Sequence, residues 1–381
     1  MKDIQRKIAE LAWGIGKITI MEVCGTHTVS IRKYGIQQLL PGNVRLVSGP
    51  GCPVCVTDKR DITLALSIAT QEDVIFTCFG DIMRVPCDGR SLYSLYEEGK
   101  DIRIVTSPLD ALTIAQDNPK KQIVYFGIGF ETTAPLTAAL IEAAEARGIQ
   151  NLSVLSAHKT MPQAIIHLLK DDNTIDALIC PGHVASIIGA HAFSFVPEKL
   201  MKPAVVAGFE AYDIMIALLG IMKMLHDGER KCMNMYPRAV KPQGNKEALS
   251  LLYKVFEPCD ALWRGMGKIP SSGLKIREYY KKLDALSKFN ININDDKFSI
   301  NISDEKLKDT KVTSDVMRNG QDETNKCICA RILCGKNIPP DCPSFGEACT
   351  PANPLGACMV SSEGSCAAYY RYSNLLHGDI G

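Results

Sequence analysis

The sequence predicts an α/β protein of two similar parallel-sheet βα domains followed by a cysteine-rich C-terminal domain. Three observations predict it. Short β-branched apolar runs alternate with turns and helical stretches from Ile18 to about Glu210. The loops that close these runs carry Cys, His, Asp or Glu. Seven of the 15 cysteines (Cys327, Cys329, Cys334, Cys342, Cys349, Cys358 and Cys366) crowd into residues 327–366.

Taken in order, the first four runs are ITIMEVCG, VRLVSGPG, DVIFTCFG and RIVTS; the next four are IVYFGIGFE, LSVLSAHK, ALICPGH and AVVAGFE. Open α/β sheets place their ligands at the carboxyl ends of strands, so the loops are expected to converge on clefts. The two sets of four resemble each other faintly, VTSPLDALTI closing the first as VAGFEAYDIMI closes the second. The expected domains are therefore 1–120, 121–240 and a helical, cysteine-rich 241–381. Between Lys281 and Asn325 a polar, charge-rich stretch reads as a surface excursion. The Pro- and Gly-rich segment after it has too little apolar periodicity to fold alone, and a metal would supply the organisation.

Composition narrows the function. Lys and Arg total 43 against 42 Asp and Glu, so no excess of positive charge addresses a phosphate backbone or an anionic membrane. The N-terminal stretch lacks the apolar core of a signal peptide, and no run reaches about 18 consecutive apolar residues. A cytoplasmic, soluble protein is expected, in which thiols persist as metal ligands or redox groups.

Cys327, Cys342, Cys349 and Cys366 follow the spacing Cx14Cx6Cx16C. Four thiolates suit a cubane iron–sulfur cluster or a tetrahedral zinc ion; the long, irregular gaps favour the cluster over the tight knuckles of zinc sites. Cys329, Cys334 and Cys358 remain as substitutes for any of the four. Near the N-terminus, Cys24 and His27 sit at the mouth of the first strand, where an imidazolium or a helix N-terminus would lower the thiol pKa; an inert strand-end cysteine is the alternative. Cys52 and Cys55 form a CxxC after the second strand, suited to a dithiol/disulfide couple or a thiolate clamp. GIGFETT lacks the third glycine of a dinucleotide loop and the lysine of a P-loop, so it is not read as a nucleotide site. Its Glu131, Thr132 and Thr133 could present an acid and hydroxyls to a ligand, or cap a helix. His158 and His183 occupy loops of the same kind, each either catalytic or a hydrogen-bonded structural histidine.

Together these loops resemble the HypD family of hydrogenase maturation (formation/expression) proteins. The matching segments include MEVCGTHT, SGPGCPVCVT, FGDIMRVP, GFETTAP, SAHKTMP, PGHVASI, WRGMGKIPSSGL and CTPANPLGACMVSSEGSCAAYY, spread from residue 21 to residue 370. The resemblance implies a [4Fe–4S] cluster on the C-terminal cysteines and a part in building the Fe(CN)2CO centre of nickel–iron hydrogenases. In that scheme the chain is a redox-active scaffold rather than a classical turnover enzyme. A HypC-type small chaperone shares the iron, and a HypE-type protein delivers cyanide. The family's essential thiols fall on Cys24, Cys52 and Cys55, and its acid motif on Glu131 with Thr132 and Thr133. Val29 stands where some relatives carry a second histidine, Cys87 where glycine is expected, and MNMY replaces an ENQY-like stretch near Tyr236. The expected mechanism has Cys24 holding the iron while Cys52 and Cys55 cycle between dithiol and disulfide. An iron–sulfur disulfide reductase without metal cargo, and a zinc-bearing assembly platform, are the competing readings.

Overall fold

Every one of the eight apolar runs forms a strand. In the computed structural model, which describes residues 1–291 and 327–373, they are β1 (Ile18–Glu22), β2 (Val44–Ser48), β3 (Val74–Cys78) and β4 (Ile102–Ile104), then β5 (Gln122–Gly127), β6 (Leu152–Ser156), β7 (Ala177–Pro181) and β8 (Ala204–Ala207). A short edge strand, β9 (Cys232–Asn234), follows them, and then a hairpin of β10 (Phe256–Trp263) and β11 (Gly267–Ile276).

The strands divide between sheets differently from the expected boundary at residue 120. One parallel sheet has the order β2-β1-β7-β8-β9 and the other β4-β3-β5-β6. The chain leaves the first sheet after β2, builds the whole of the second, and returns at β7. Sequence order cannot show this, because a buried parallel strand reads the same whichever sheet receives it. Helices cover the outer faces. Lys2–Ala12, Gly25–Lys33 and Ala211–His226 pack on the first sheet, and Asp110–Asp117, Ala134–Ala146 and Lys246–Val255 on the second.

The largest apolar core lies between the sheets, from Met21 and Leu178 in one to Phe76 and Val124 in the other. The cysteine-rich segment joins this core instead of forming its own. Its short helices Cys329–Leu333 and Ala357–Val360 bury Ile332, Leu333, Ala357 and Met359 there. Most of the polar Lys281–Asn325 stretch lies outside the described residues.

Residues 241–381 are not simply helical and cysteine-rich, because the β10–β11 hairpin lies among them. Pro258, Asp260, Pro270 and Gly273 disguise it, since these residues are depleted in strands, and its register shifts between Cys259 and Ala261. Trp263 anchors it. The ring is fully buried and stacked 5.9 Å from Phe130, and its indole N–H donates to the Ser272 hydroxyl at 2.8 Å. Trp263→Ala should destabilise the protein by about 3–5 kcal/mol, read as a lower urea midpoint with wild-type far-UV dichroism at zero denaturant.

Candidate functional site

The ends of β1, β2, β3, β5 and β7 meet in a cleft of about 280 Å³. Cys24 and Thr26 reach it after β1, Pro53 and Val54 after β2, and Asp81 after β3; Thr132 and Thr133 follow β5, and His183 follows β7. Glu363, from the cysteine-rich segment, closes one wall. The loops after β1 and β2 are laced together. Gly25 donates its N–H to the Gly51 carbonyl at 2.9 Å, and Gly49 donates to the Glu22 carbonyl at 2.7 Å. Gly51 lies so close that a Cβ there would stand 2.2 Å from the Cys24 backbone nitrogen.

Of the residues singled out in the sequence, Cys24, Thr132, Thr133 and His183 line the cleft. Cys52 and Cys55 lie buried behind it, joined as a disulfide, and the Pro53 and Val54 between them face the cleft. Glu131 is buried, and its carboxylate accepts the N–H of Met161, first residue of the helix Met161–Leu169, at 3.0 Å. That is a capping role, and burial raises its pKa to about 7. His27 is also buried, 2.9 Å from the Gly208 carbonyl and 4.7 Å from the Phe209 ring, with its pKa pushed down to about 4 by that burial.

This changes the electrostatics expected at Cys24. A neutral His27 provides no imidazolium, and burial first, then the carboxylate of Glu363, raise the Cys24 thiol to about 12. The N–H groups of His27 and Thr26 at the helix start oppose this without cancelling it. His183 stands at the cleft mouth, stacked on Phe209 at 3.9 Å and 3.5 Å from the Thr26 hydroxyl, which in turn donates to Glu363 at 2.7 Å. His158 is a structural histidine, buried and 2.9 Å from the Thr137 hydroxyl. Asp81 and Glu363 escaped the sequence reading. Both stand in matched segments, FGDIMRVP and SSEGSC, and Asp81 has the strand-end position that marked the other loops.

Six of the seven C-terminal cysteines (Cys327, Cys329, Cys342, Cys349, Cys358 and Cys366) ring one cavity of about 10 Å³. Cys334 stands apart, against the Gly265 carbonyl at 3.7 Å. Within the ring, Cys329 and Cys358 form a pair with their sulfurs 2.9 Å apart. The other four are those of the Cx14Cx6Cx16C spacing, and Cys342 and Cys366 each act electrostatically on both Cys327 and Cys349. Among the described residues no three His, Cys, Asp or Glu side chains already converge on one point. The thiols ring a space instead, and a cluster would have to push them apart. The donors fit such a group. They are soft sulfurs, Leu355 donates its N–H to Cys349 at 3.3 Å, and a Cβ on Gly356 would come within 2.9 Å of the Cys327 sulfur.

Residues 1–373 match a family described as HypD, "Hydrogenase formation hypA family". The chain belongs to the HypD family. It is 40% identical to the hydrogenase maturation factor HypD of Rhodobacter capsulatus, over 97% of this chain and 95% of that one. It is 42% identical to a putative hydrogenase expression/formation protein of Methanocaldococcus jannaschii, over 97% and 96%. A HypD maturation factor of Azotobacter vinelandii is 41% identical, over 97% and 93%. The HypD assignment places the chain among hydrogenase maturation factors, and among the described residues no helix is long and apolar enough to cross a membrane.

The buried histidines of this HypD chain carry a pH signature. Burial lowers His27 and His158 from the ordinary 6.5 to about 4, so between these values the unfolded chain binds protons that the folded chain does not. Stability held above pH 6.5 is therefore lost as the pH falls towards 4. The raised carboxyls of Glu22 and Glu131, moved from 4.5 to about 7, act in the opposite direction between those values. His158→Gln should remove one of the histidine contributions, so that between pH 6.5 and 4 its urea midpoint falls less, or rises more, than that of the wild type.

Proposed function

We propose that this protein is the redox-active scaffold on which iron acquires its cyanide and carbon monoxide ligands, with Cys24 as its anchor for the iron. The observation that carries the reading is the placement of Cys24 in a cleft whose wall is the Cys52–Cys55 loop. Soft thiolates suit low-spin iron with strong-field carbon ligands, and a HypC-type chaperone would supply a second thiolate. Thr26, Thr132, Thr133 and His183 give the cleft hydrogen-bonding groups for bound cyanide.

The reduced form of the Cys52/Cys55 pair, the dithiol, would give the scaffold its electrons. Releasing cyanide from a thiocyanate-type donor, delivered by a HypE-type protein, cleaves a sulfur–carbon bond and consumes two electrons and two protons. The Cys52/Cys55 dithiol would provide both and become the disulfide; an external one-electron donor acting twice, with two protons from water, would restore it. Cys327, Cys342, Cys349 and Cys366 would hold a [4Fe–4S] cluster, whose chemistry is one-electron transfer. The chain's own geometry supports a connection. The Cys55 sulfur stands 3.8 Å from the carbonyl of Ala357, and the next residue, Cys358, belongs to the pair with Cys329 inside the ring.

The same juxtaposition of ring and disulfide favours a second reading, a disulfide reductase with no iron cargo. The infrared spectrum of the anaerobically purified complex with the HypC-type partner separates the two. Cyanide and carbonyl stretching bands are expected in the wild type and absent in Cys24→Ala; bands missing from both, with the brown colour intact, would sink the scaffold and leave the reductase.

The ring geometry makes its own prediction. Protein purified without oxygen should contain iron and acid-labile sulfide, Cys342→Ser should lose most of both, and Cys334→Ser should keep them. Zinc without sulfide in the wild type would replace the cluster with a structural zinc site.

A further inference from the structure

Glu22 has no place in the functions so far described, yet it is the carboxylate most intimately attached to Cys24. It stands at the end of β1 and is 2% exposed. One of its oxygens accepts the backbone N–H of Cys24 at 2.9 Å, and the other accepts the Thr28 hydroxyl at 2.5 Å. The Ser48 side chain, at the end of the neighbouring β2, is a third partner. The two carboxylate oxygens therefore span the start and end of the first turn of the helix Gly25–Lys33, while tying that turn to the next strand. Cys24 precedes this helix in an extended conformation (φ −146°, ψ 122°), and no side-chain bond of its own caps the helix start. Its direction into the cleft consequently depends on what holds its backbone.

We propose that Glu22 is the positioning residue of Cys24, a buried carboxylate that fixes the backbone of the anchoring cysteine so that its thiol is presented to the cleft. The inference rests on the reading of Cys24 as the iron anchor only for its consequence, not for its geometry. A carboxyl side chain suits the task because its two oxygens have enough lone pairs for an amide and two hydroxyls at once. Glutamine keeps most of this frame without the charge: its amide oxygen can accept from Cys24, and hydroxyls can accept as well as donate. Leucine fills a similar volume and abolishes the frame.

The test is the rate at which iodoacetamide alkylates Cys24 in the full-length chain under nitrogen, read peptide by peptide by mass spectrometry, with Cys259 on β10 as internal control. Glu22→Leu is expected to raise the Cys24 rate roughly tenfold while Cys259 is unchanged, and Glu22→Gln to stay near wild type. A Leu variant with native dichroism and a wild-type Cys24 rate would overturn the proposal. So would an equal rise at Cys259, which signals general loosening, or a Gln variant that behaves like Leu, which assigns the effect to charge. If the Leu variant does not fold, Thr28→Val withdraws one of the carboxylate's donors and should raise the Cys24 rate in the same direction; no change there overturns the proposal equally. In the complex with the HypC-type partner, Glu22→Leu should weaken retention of the iron by roughly 10- to 100-fold, seen as loss of the infrared bands. Absence of those bands from the wild type would remove the scaffold reading and leave the alkylation result standing.

Discussion

The cleft depends on the contact between two backbones, at Cys24 and at Gly51. A Cβ at residue 51 would stand 2.2 Å from the nitrogen of Cys24, closer than any side chain permits. Only with glycine there can the loop after β2 lie against the loop after β1, and that closeness brings the disulfide loop to the thiol. The parallel pairing of β1 and β2 sets the distance, with Glu22 in register with Ser48. The rest of the site is built outward from this seam. The second sheet contributes Asp81 and the two threonines, and the return strand β7 contributes His183.

The cysteine-rich segment closes the cleft from the far end of the chain. Thr26 donates to Glu363, and Arg32 donates to the Tyr369 hydroxyl while its guanidinium lies 3.6 Å from the centre of that ring. Both partners belong to the stretch that carries Cys366. The helix bearing the Cys24 turn and the segment bearing the ring of thiols are thus held together by hydrogen bonds and a cation–π contact. Because the segment buries its apolar residues in the core between the sheets, its fold and that of the cleft are one packing problem.

The strands were legible because buried parallel strands are written as continuous apolar runs, and all eight lie where the runs stand. Membership of the two sheets was not legible, since nothing local to β7 says that it pairs with β1 and not with β6, the strand before it. The hairpin was hidden by its prolines, its glycine and its register shift. Cys24, Thr132, Thr133 and His183, singled out by their strand-end positions, line the cleft. Glu131 and His27 satisfied the same rule, but one turns to cap a helix and the other to pack on Phe209. Which way a loop side chain turns is decided by partners distant in sequence. Glu363, 337 residues from Thr26, is the extreme case.

The charges around Cys24 argue for a thiol that stays protonated in the free protein. With the thiol raised to about 12 by burial and by nearby Glu363 and Glu22, the free protein at neutral pH holds a protonated cysteine. A protonated, buried thiol is a poor nucleophile and oxidises slowly. A cation changes this balance. The same carboxylates that oppose a thiolate favour a positive ion, so under the proposed reading binding a metal there and losing the thiol proton would be one event. An activating imidazolium at His27 would have produced the opposite design, a thiolate open to alkylation and oxidation. By burying both His27 and Cys24 and placing Glu363 and Glu22 beside the thiol, the fold holds Cys24 in its protonated, slowly reacting form.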